Sequence, residues 1–359
     1  MHKSIAKHND VQSSLKVMLT NAIVKGASFL CRNTEPMGGW ADFSTHRSGP
    51  STSWLSAYVL IQAKEILPSQ VTLTAIARLL AEKKPNGSWG FSQITPGDCD
   101  STLHVIYVLR LYGINIKDYI TSLSYVFRHC FEGGFRTYSE EDEINLYRGQ
   151  SSVHGFKGWM TAHNCVSSVA LDFFTRFSDE GAQGHSKQLT DYFYNRYSGK
   201  ELWPAYWWRS NYFVASRVAR SFLFSNDRRA RLIANSVLET IASDWDHRGF
   251  WDNGIDKGLP CLVSTGLNTC TLMLETKYSD IIAATADWLV RNQWADGSWE
   301  SKPILQIPPP DVEHPETYDG WRMEGVGVGS SSADKNRIYT TATVLGALSQ
   351  LAHGSQANG

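Results

Sequence analysis

The stretch Trp-Leu-Val-Arg-Asn-Gln-Trp-Ala-Asp-Gly-Ser-Trp, residues 288–299, decides the fold of this chain. It joins the end of an apolar-periodic segment, Ile281–Arg291, to a turn in which tryptophan closely follows glycine. Apolar residues at helical spacing that stop at a glycine predict a helix ending just before the turn. A second such segment, Thr340–Leu351, follows later, so the predicted unit is helix, glycine turn, helix.

This glycine-plus-aromatic turn recurs along the chain. Successive aromatic residues lie 49, 46, 68, 48 and 48 residues apart, and such even spacing indicates an internal repeat. Helical hairpins stack into an open solenoid or close into a ring, and six is the number that closes an α/α toroid around a cavity. We therefore predict an all-α fold, a single (α/α)6 toroid domain over residues 1–359. The repeats are marked by Trp40, Trp89, Phe135, Trp203, Trp251 and Trp299.

Two segments interrupt this regularity, at about 136–158 and 301–335. Both are too long for ordinary connections between helices. We predict that they act as lids over one mouth of the ring. Signals for β-hairpins are missing, since Asn86-Gly87 lies inside a turn motif rather than between alternating strands.

The composition restricts the functional class. The chain has 359 residues, with 34 Lys+Arg against 35 Asp+Glu, which argues against a nucleic-acid binder. No apolar run reaches the roughly 18 residues of a membrane span, and MHKSIAKHND lacks the apolar stretch of a signal peptide. Six scattered cysteines without a CxxC pair predict reduced thiols and a cytoplasmic protein. A peripheral membrane contact and a homodimer remain open.

The turn motif itself resembles that of a known superfamily. Trp288-Leu289, Gln293 and Gly297-Ser298-Trp299 are similar to the QW motif of the squalene–hopene and oxidosqualene cyclases. The other five copies are degenerate versions of it. This resemblance implies the toroid fold but not the chemistry, because protein prenyltransferase β subunits share that fold.

A pair of carboxylates extends the resemblance from the fold to the catalytic residues. Asp98-Cys99-Asp100-Ser101-Thr102 resembles the DxDDTA motif of class II terpene cyclases, with Ser101 in place of the third acid. In that family the middle Asp protonates an alkene or epoxide, so the resemblance assigns the general acid to Asp100, supported by Asp98, Ser101 and Thr102. Such an acid must be protonated and desolvated. N-capping of the following helix is the simpler explanation of the same residues.

A histidine is expected beside this acid. Squalene–hopene cyclases take it from a Thr-x-His pattern in the next repeat, which Thr161-Ala162-His163 matches. The resemblance therefore places His163 next to Asp100 on the cavity rim. Two alternatives stay open: His104 lies four residues after Asp100 on one helix face, and His163 is explained equally well as a buried histidine with satisfied hydrogen bonds.

Aromatic residues are expected to stabilise a carbocation. The segment 203–212 is similar to the family's W-x-G-R-W-G-x-N-Y pattern, with one extra residue and with Ala205 and Tyr206 replacing Gly and Arg. By this resemblance Trp207 or Trp208 stacks over the cation, an attraction of about 2 kcal/mol when desolvated. Trp54, Tyr212 and Phe213 follow the starts of inner helices, where cavity lining and core packing are both open.

The resemblance spans roughly residues 20–355. It implies protonation-initiated cyclisation of an isoprenoid or a prenylated small molecule. No cofactor and no protein-bound metal are expected, and Mg²⁺ would be needed only for a diphosphate substrate. The acidic run Glu140–Glu143 is predicted to be a solvated loop. Arg47, Arg148 and Arg209 are candidates to hold an anionic head group, but their spacing selects none of them.

Three other functions are compatible with a toroid. A non-catalytic toroid would bind an isoprenoid or a partner protein without making a product. A protein-prenyltransferase-like subunit would need zinc ligands, which 262–269 and 339–342 lack. An α/α-barrel glycosidase would need two carboxylates about 5–10 Å apart, which Asp98 and Asp100 could supply.

Overall fold

The computed structural model describes residues 2–115, 117, 119–142, 144–149, 153–177 and 183–357. Helices account for most of this part of the chain. They are α1 (His2–Arg32), α2 (Ser53–Gln62), α3 (Ser69–Ala81), α4 (Cys99–Leu111), α5 (Ile120–Phe127), α6 (Ile144–Tyr147), α7 (Asn164–Arg176), α8 (Gln183–Asn195), α9 (Tyr212–Leu223), α10 (Arg228–Ser243), α11 (Leu262–Leu272), α12 (Ser279–Arg291) and α13 (Ile338–Ala357).

Six of these helices form a closed inner ring. Helices α2, α4, α7, α9, α11 and α13 each contact the next, and α13 contacts α2 to complete the circle. Helices α1, α3, α5, α8, α10 and α12 pack around the outside. Inner helices such as α4 are buried over nearly their whole length, whereas outer helices such as α10 bury one stripe. The prediction of an all-α (α/α)6 toroid is confirmed.

The tryptophan turns are held by a repeated hydrogen bond. In each, the indole Nε1–H donates to the carbonyl ten residues earlier, near the end of the preceding outer helix. This bond satisfies a carbonyl that the helix end leaves free. Phe135 has no indole N–H and marks the one repeat without it. The pairs are Trp40 with Leu30, Trp89 with Leu79, Trp203 with Phe193, Trp251 with Ile241 and Trp299 with Leu289.

A hydroxyl from the following inner helix holds the same turn from the other side. It accepts a hydrogen bond from the backbone N–H of the aromatic residue, at 2.8–3.0 Å. These hydroxyls are buried, so each bond links an outer helix, a turn and an inner helix within one repeat. The pairs are Ser56 with Trp40, Thr102 with Trp89, Ser167 with Phe135 and Thr265 with Trp251.

The last turn also joins the two ends of the toroid. Gln293 Nε2 donates to the Ala22 carbonyl of α1 and to the Gly297 carbonyl, both at 2.9 Å. Gly297 has a positive φ of 93°. A Cβ there would lie 2.3 Å from the Lys25 carbonyl oxygen, so only glycine permits this close approach of the turn to α1.

Short strands are present that the sequence analysis did not predict. They are β1 (Asp42–Thr45) with β2 (Gly49–Ser51), β3 (Cys130–Phe131) with β4 (Gly134–Phe135), and β5 (Leu305–Ile307), β6 (Arg322–Met323) and β7 (Ser330–Ser332). The first two pairs are antiparallel, while β7 pairs with β5 antiparallel and with β6 parallel. Strands of two to four residues are too short for a visible alternation of apolar residues.

The lengths and compositions of the helices bear on whether any of them could span a membrane. Within the described residues, none combines the length and the apolar character needed to cross a bilayer.

Candidate active site

A cavity lies at the mouth of the ring where α2 and α4 begin. Its volume is about 950 Å³, including the space at its open side. Its wall is mostly aromatic and aliphatic, and both predicted inserts contribute to it. The inserts and the residue that follows the first supply Tyr138, Ile144, Tyr147, Arg148, Trp159, Leu305, Ile307, Val326 and Val328; the β1–β2 hairpin supplies Phe43, Thr45, His46, Arg47 and Ser48.

Asp98 is buried in this wall and is the N-cap of α4. Its Oδ1 accepts a hydrogen bond from Ser101 N and its Oδ2 one from Ser101 Oγ, both at 2.7 Å. Burial raises the pKa of Asp98 to about 8, the charges of Asp100 and Asp142 add to the rise, and the Ser101 bonds oppose it. Asp98 therefore holds a proton at neutral pH. The capping explanation is correct for Asp98, and it is compatible with a catalytic role.

Asp100 lines the cavity from the first turn of α4 and keeps 15% of its side-chain area exposed. Its Oδ1 is buried and has no hydrogen-bond partner among the described residues. The nearest ring nitrogen is His104 Nδ1, 3.4 Å from Oδ1 and 2.9 Å from the Asp100 carbonyl oxygen. Asp100 thus offers a carboxyl to the cavity that no neighbouring side chain has already engaged.

His163 lies near enough to Asp100 for the charge of that carboxyl to oppose the effect of burial on its pKa, but no hydrogen bond joins the two among the described residues. Trp207 Nε1–H donates to Thr137 Oγ1 at 2.7 Å, so the Thr137 hydroxyl proton points to His163 Nδ1, also at 2.7 Å. His163 Nε2–H then donates to the Gly158 carbonyl at 2.8 Å. Both ring nitrogens are occupied, and burial lowers the pKa of His163 to about 4, which keeps the ring neutral.

The ring nitrogen found within 4.0 Å of an Asp100 carboxylate oxygen is that of His104, the alternative that the resemblance did not favour. His163 occupies the N-cap position of α7 and stacks on Tyr206 with ring centroids 3.8 Å apart. Its contribution to the site passes through Thr137, which lines the cavity and holds Trp207. This connection depends on the first insert, whose path is not readable from sequence periodicity.

Three of the five expected aromatic residues line the cavity. Trp54, Trp207 and Trp208 do so, and Trp54 lies 5.2 Å from Trp208 between ring centroids. Tyr58 stacks on Trp54 at 5.4 Å and His104 contacts it edge-on at 5.1 Å. These contacts fix the indole at the wall, where its π-system can attract a cation.

Tyr212 and Phe213 are absent from the described cavity wall, contrary to the lining expected of them. The Tyr212 hydroxyl donates to Asp244 at 2.9 Å, on the outer side of the ring. Phe213 lies behind Trp208, stacked at 4.7 Å, and carries the Arg217 guanidinium 3.8 Å from its ring centroid. Both belong to the core because the first turn of α9 is covered by Trp208 and by α10.

The two support residues of the motif have different roles. Ser101 binds both oxygens of Asp98. Thr102 is the buried hydroxyl that holds the Trp89 turn, and it also donates to the Asp98 carbonyl at 2.7 Å. The fold therefore explains a threonine at position 102, since three other repeats use a hydroxyl in the same way.

The other charged residues considered in the sequence analysis are Arg209 and the acidic run at 140–143. Arg209 is paired with Asp256, with Nη2 3.0 Å from Oδ1, and does not border the cavity described here. Asp142 accepts hydrogen bonds from Tyr125 and His129, both at 2.6 Å, and so anchors the first insert. Glu143 lies outside the described residues. Within the described ranges, no three His, Cys, Asp or Glu side chains are grouped to hold a metal ion.

Several wall residues were not found from the sequence. Phe43, Phe91, Tyr138 and Trp159 line the cavity from segments between the α-helices, and Trp159 Nε1 donates to the Pro308 carbonyl of the second insert at 3.0 Å. Only Tyr138 lies inside a predicted insert, so the length of the inserts is a sequence signal for that residue alone. Loops carry no periodicity that reports which side chain faces inward.

Comparisons with known proteins agree with this architecture. The sequence matches no protein-family model and no curated protein. The structure is similar to a variant of the type II terpene cyclase MstE from Scytonema, solved with geranylgeranyl dihydroxybenzoate, at a TM-score of 0.85 and 24% identity over 95% of this chain and 99% of that one.

Two further structures are similar at lower scores. A protein from Actinoplanes gives a TM-score of 0.81 and 25% identity over 93% of this chain and 99% of that one. The ent-copalyl diphosphate synthase from Streptomyces platensis gives 0.60 and 16% identity, covering 85% of this chain and 51% of that one. The toroid is thus the fold of type II terpene cyclases.

Proposed function

We propose that this protein is a protonation-initiated, class II-type cyclase of an isoprenoid or a prenylated small molecule. The observation that carries the proposal is a pair of carboxyls, Asp98 and Asp100, in the wall of a cavity that is mostly aromatic and aliphatic. Burial and the charge of Asp100 both raise the pKa of Asp98, so the pair retains a proton at neutral pH.

Asp100 is the group that delivers this proton. Its carboxyl borders the cavity and is not engaged by a neighbouring donor at hydrogen-bond distance, whereas both oxygens of Asp98 are bound by Ser101. Asp98, whose raised pKa keeps the proton in the site, passes it to Asp100, and the hydrogen bonds from Ser101 N and Oγ then stabilise the carboxylate that Asp98 becomes. His104 Nδ1, 3.4 Å away, stabilises the carboxylate that Asp100 becomes.

The reaction follows from this geometry. The O–H bond of Asp100 breaks as a C–H bond forms at one carbon of a substrate double bond, leaving a carbocation at the other. The electrons of the next double bond form a C–C bond to that cation, and a ring closes. Loss of a proton to a base yields an isomer of the substrate, while addition of water followed by proton loss yields a hydrate.

The cavity wall protects and guides the cation. Trp54, Trp207 and Trp208 supply π-faces, each attraction contributing about 2 kcal/mol in a desolvated site. The two inserts close around the same space and exclude water that would quench the cation early. Support also comes from MstE, solved in variants with geranylgeranyl dihydroxybenzoate as substrate and with merosterolic acid A as product.

The proposal includes no cofactor unless the substrate carries a diphosphate, which would bring Mg²⁺. We also propose that the enzyme works in the cytoplasm, which its six free cysteines support. A peripheral membrane contact and a homodimer stay proposals, to be tested by vesicle flotation and by analytical ultracentrifugation.

A product screen by mass spectrometry tests the function. Wild type and Asp100→Asn are incubated with prenyl diphosphates, polyprenols and prenylated aromatics, with Mg²⁺ or with EDTA. A cyclised isomer or hydrate made by wild type alone supports the proposal. Tight binding of a prenyl compound by a folded wild type without any product would contradict it and favour a non-catalytic toroid.

A further inference from the structure

Two arginines lie together at the rim of the cavity, on different loops. Arg47 is in the turn between β1 and β2, and its Nη1 donates to the Tyr147 carbonyl at 3.0 Å. Arg148 follows α6 in the first insert, with its guanidinium 5.8 Å from the centroid of Trp159. Both side chains line the cavity that holds Asp98 and Asp100.

This pair of like charges is not neutralised within the described part of the chain. Neither guanidinium there lies within 4.0 Å of a carboxylate, in contrast to Arg209 with Asp256. Arg148 Nε is buried and has no hydrogen-bond partner among the described residues. Burial lowers the pKa of Arg148, and the neighbouring Arg47 lowers it further, so the two charges repel each other.

Two neighbouring guanidinium groups without a carboxylate partner favour binding of an anion between them. The planar guanidinium presents parallel N–H donors that match a carboxylate or phosphate. An anion between Arg47 and Arg148 would remove their repulsion and occupy donors now without acceptors. Most of the remaining wall is aromatic or aliphatic, so it suits a hydrocarbon chain.

We propose that Arg47 and Arg148 bind an anionic head group of the substrate, a carboxylate or a phosphate, while its prenyl chain extends to Asp100. This inference rests on the proposed function, because it concerns the substrate of the same site. The head group at the rim orients the chain so that the double bond far from the anion meets the acid. Protonation then begins at the tail of the substrate.

Binding to a variant that cannot turn over tests the proposal directly. Asp100→Asn is titrated with geranylgeranyl hydroxybenzoic acid, its methyl ester, geranylgeranyl diphosphate and geranylgeraniol, using quenching of tryptophan fluorescence. We expect the acid or the diphosphate to bind about tenfold more tightly than its neutral counterpart, as charge-assisted hydrogen bonds would give. The acid and diphosphate arms, with and without Mg²⁺, separate the two sources of anion.

Substitution of the arginines in the same background locates the effect. Arg47→Gln and Arg148→Gln should each reduce the preference for the anion several-fold and leave ester and alcohol affinities unchanged. Arg148→Lys keeps the charge and should retain part of the preference. Arg229→Gln, an exposed arginine paired with Asp227, is the control and should change nothing.

Two results would overturn the inference. In the first, Asp100→Asn with both arginines intact binds the acid no more tightly than its ester, and the diphosphate no more tightly than the alcohol. In the second, the glutamine variants lose affinity equally for the charged and the neutral ligands. Failure of the proposed function looks different: wild type would make no cyclised product from any compound, whatever the binding preferences.

Discussion

The second and fifth repeats share one structural frame. In the second, Thr102 Oγ1 accepts a hydrogen bond from Trp89 N at 3.0 Å, and in the fifth Thr265 Oγ1 accepts one from Trp251 N at the same distance. In both, the indole Nε1–H reaches back ten residues to a helix carbonyl. The frame therefore does not distinguish the two repeats.

The caps of the inner helices do distinguish them. Asp98 N and Cys261 N both donate to the carbonyl of the turn tryptophan, at 2.9 Å, and both residues are N-caps. In the second repeat a second carboxyl follows at Asp100, where the fifth has Val263. The second repeat thus differs from the fifth by one additional carboxyl, and the proposed function assigns the general acid to that residue.

The largest expected effect is on Asp100, which separates the two copies most sharply. Asp100→Asn should lower turnover by about 10³-fold, because an amide cannot donate the proton that starts the reaction. The free energy of unfolding should change little. Product formation is followed by mass spectrometry, and Cys261→Ser in the fifth repeat is the control, with turnover within about twofold of wild type by the same assay. Cyclisation by Asp100→Asn at the wild-type rate would remove Asp100 from the mechanism.

The shared frame is tested by paired substitutions of the threonines. Thr102→Val and Thr265→Val should each lower the free energy of unfolding by about 1–3 kcal/mol, because each leaves a buried tryptophan N–H without an acceptor. Urea titration measures this. Turnover should fall only in Thr102→Val, since Thr102 also donates to the Asp98 carbonyl. An equal loss of turnover in Thr265→Val would mean that the frame, rather than the acid pair, controls activity.

The raised pKa of Asp98 predicts a pH dependence of stability. Burial raises the pKa of Asp98 to about 8 in the folded protein, whereas an Asp in an unfolded chain has a pKa of about 3.9, so between these values the folded state holds a proton that the unfolded chain has lost. Stability must therefore fall as pH rises from about 4 to 8.

Calorimetry at several pH values tests this. The Tm of wild type should decrease by at least about 2 °C over that range, and Asp98→Asn should flatten the slope. Some slope should remain, because burial also raises the pKa of Asp334, to about 7. An unchanged slope in Asp98→Asn would place the titrating group elsewhere.

The smallest expected effect concerns the bridge from His163 to Trp207. Thr137→Val removes the hydroxyl that accepts from Trp207 Nε1 and donates to His163 Nδ1. We expect a few-fold loss of turnover and a larger share of early-quenched products, with Thr137→Ser restoring both. Product ratios by gas chromatography give the readout. If Thr137→Ser behaves like Thr137→Val, the hydroxyl does not position the indole.

The toroid and the pair of carboxyls could be predicted from the sequence, because both depend on residues that lie close together along the chain. Gly297 and its neighbours gave the turn, and Asp98 and Asp100 are two residues apart at a helix start. Trp54, Trp207 and Trp208 were also expected at the cavity, and they line it. Tyr212 and Phe213 were expected there too, but the Tyr212 hydroxyl donates to Asp244 and Phe213 stacks behind Trp208, so both belong to the core.

The histidine beside Asp100 shows more clearly what could not be predicted from the sequence. The resemblance favoured His163 over His104, although His104 shares a helix face with Asp100. Thr137 and the Gly158 carbonyl occupy both nitrogens of His163, and both belong to the first insert. A long insert can bring any of its residues to a given point, so no sequence pattern predicts that Thr137 and the Gly158 carbonyl bind the two nitrogens of His163.

The sequence by itself determined the repeated frame and the position of the carboxyl pair, because the bonds that build a turn link residues about ten to thirty apart, and the indole bond spans ten residues in every copy that has a tryptophan. The tertiary structure alone decided which side chains share the cavity. Trp207 reaches Thr137 across 70 residues, and His46 N reaches the Val326 carbonyl at 2.7 Å. Such contacts depend on closure of the ring and on the paths of two irregular segments, neither of which has a period in the sequence.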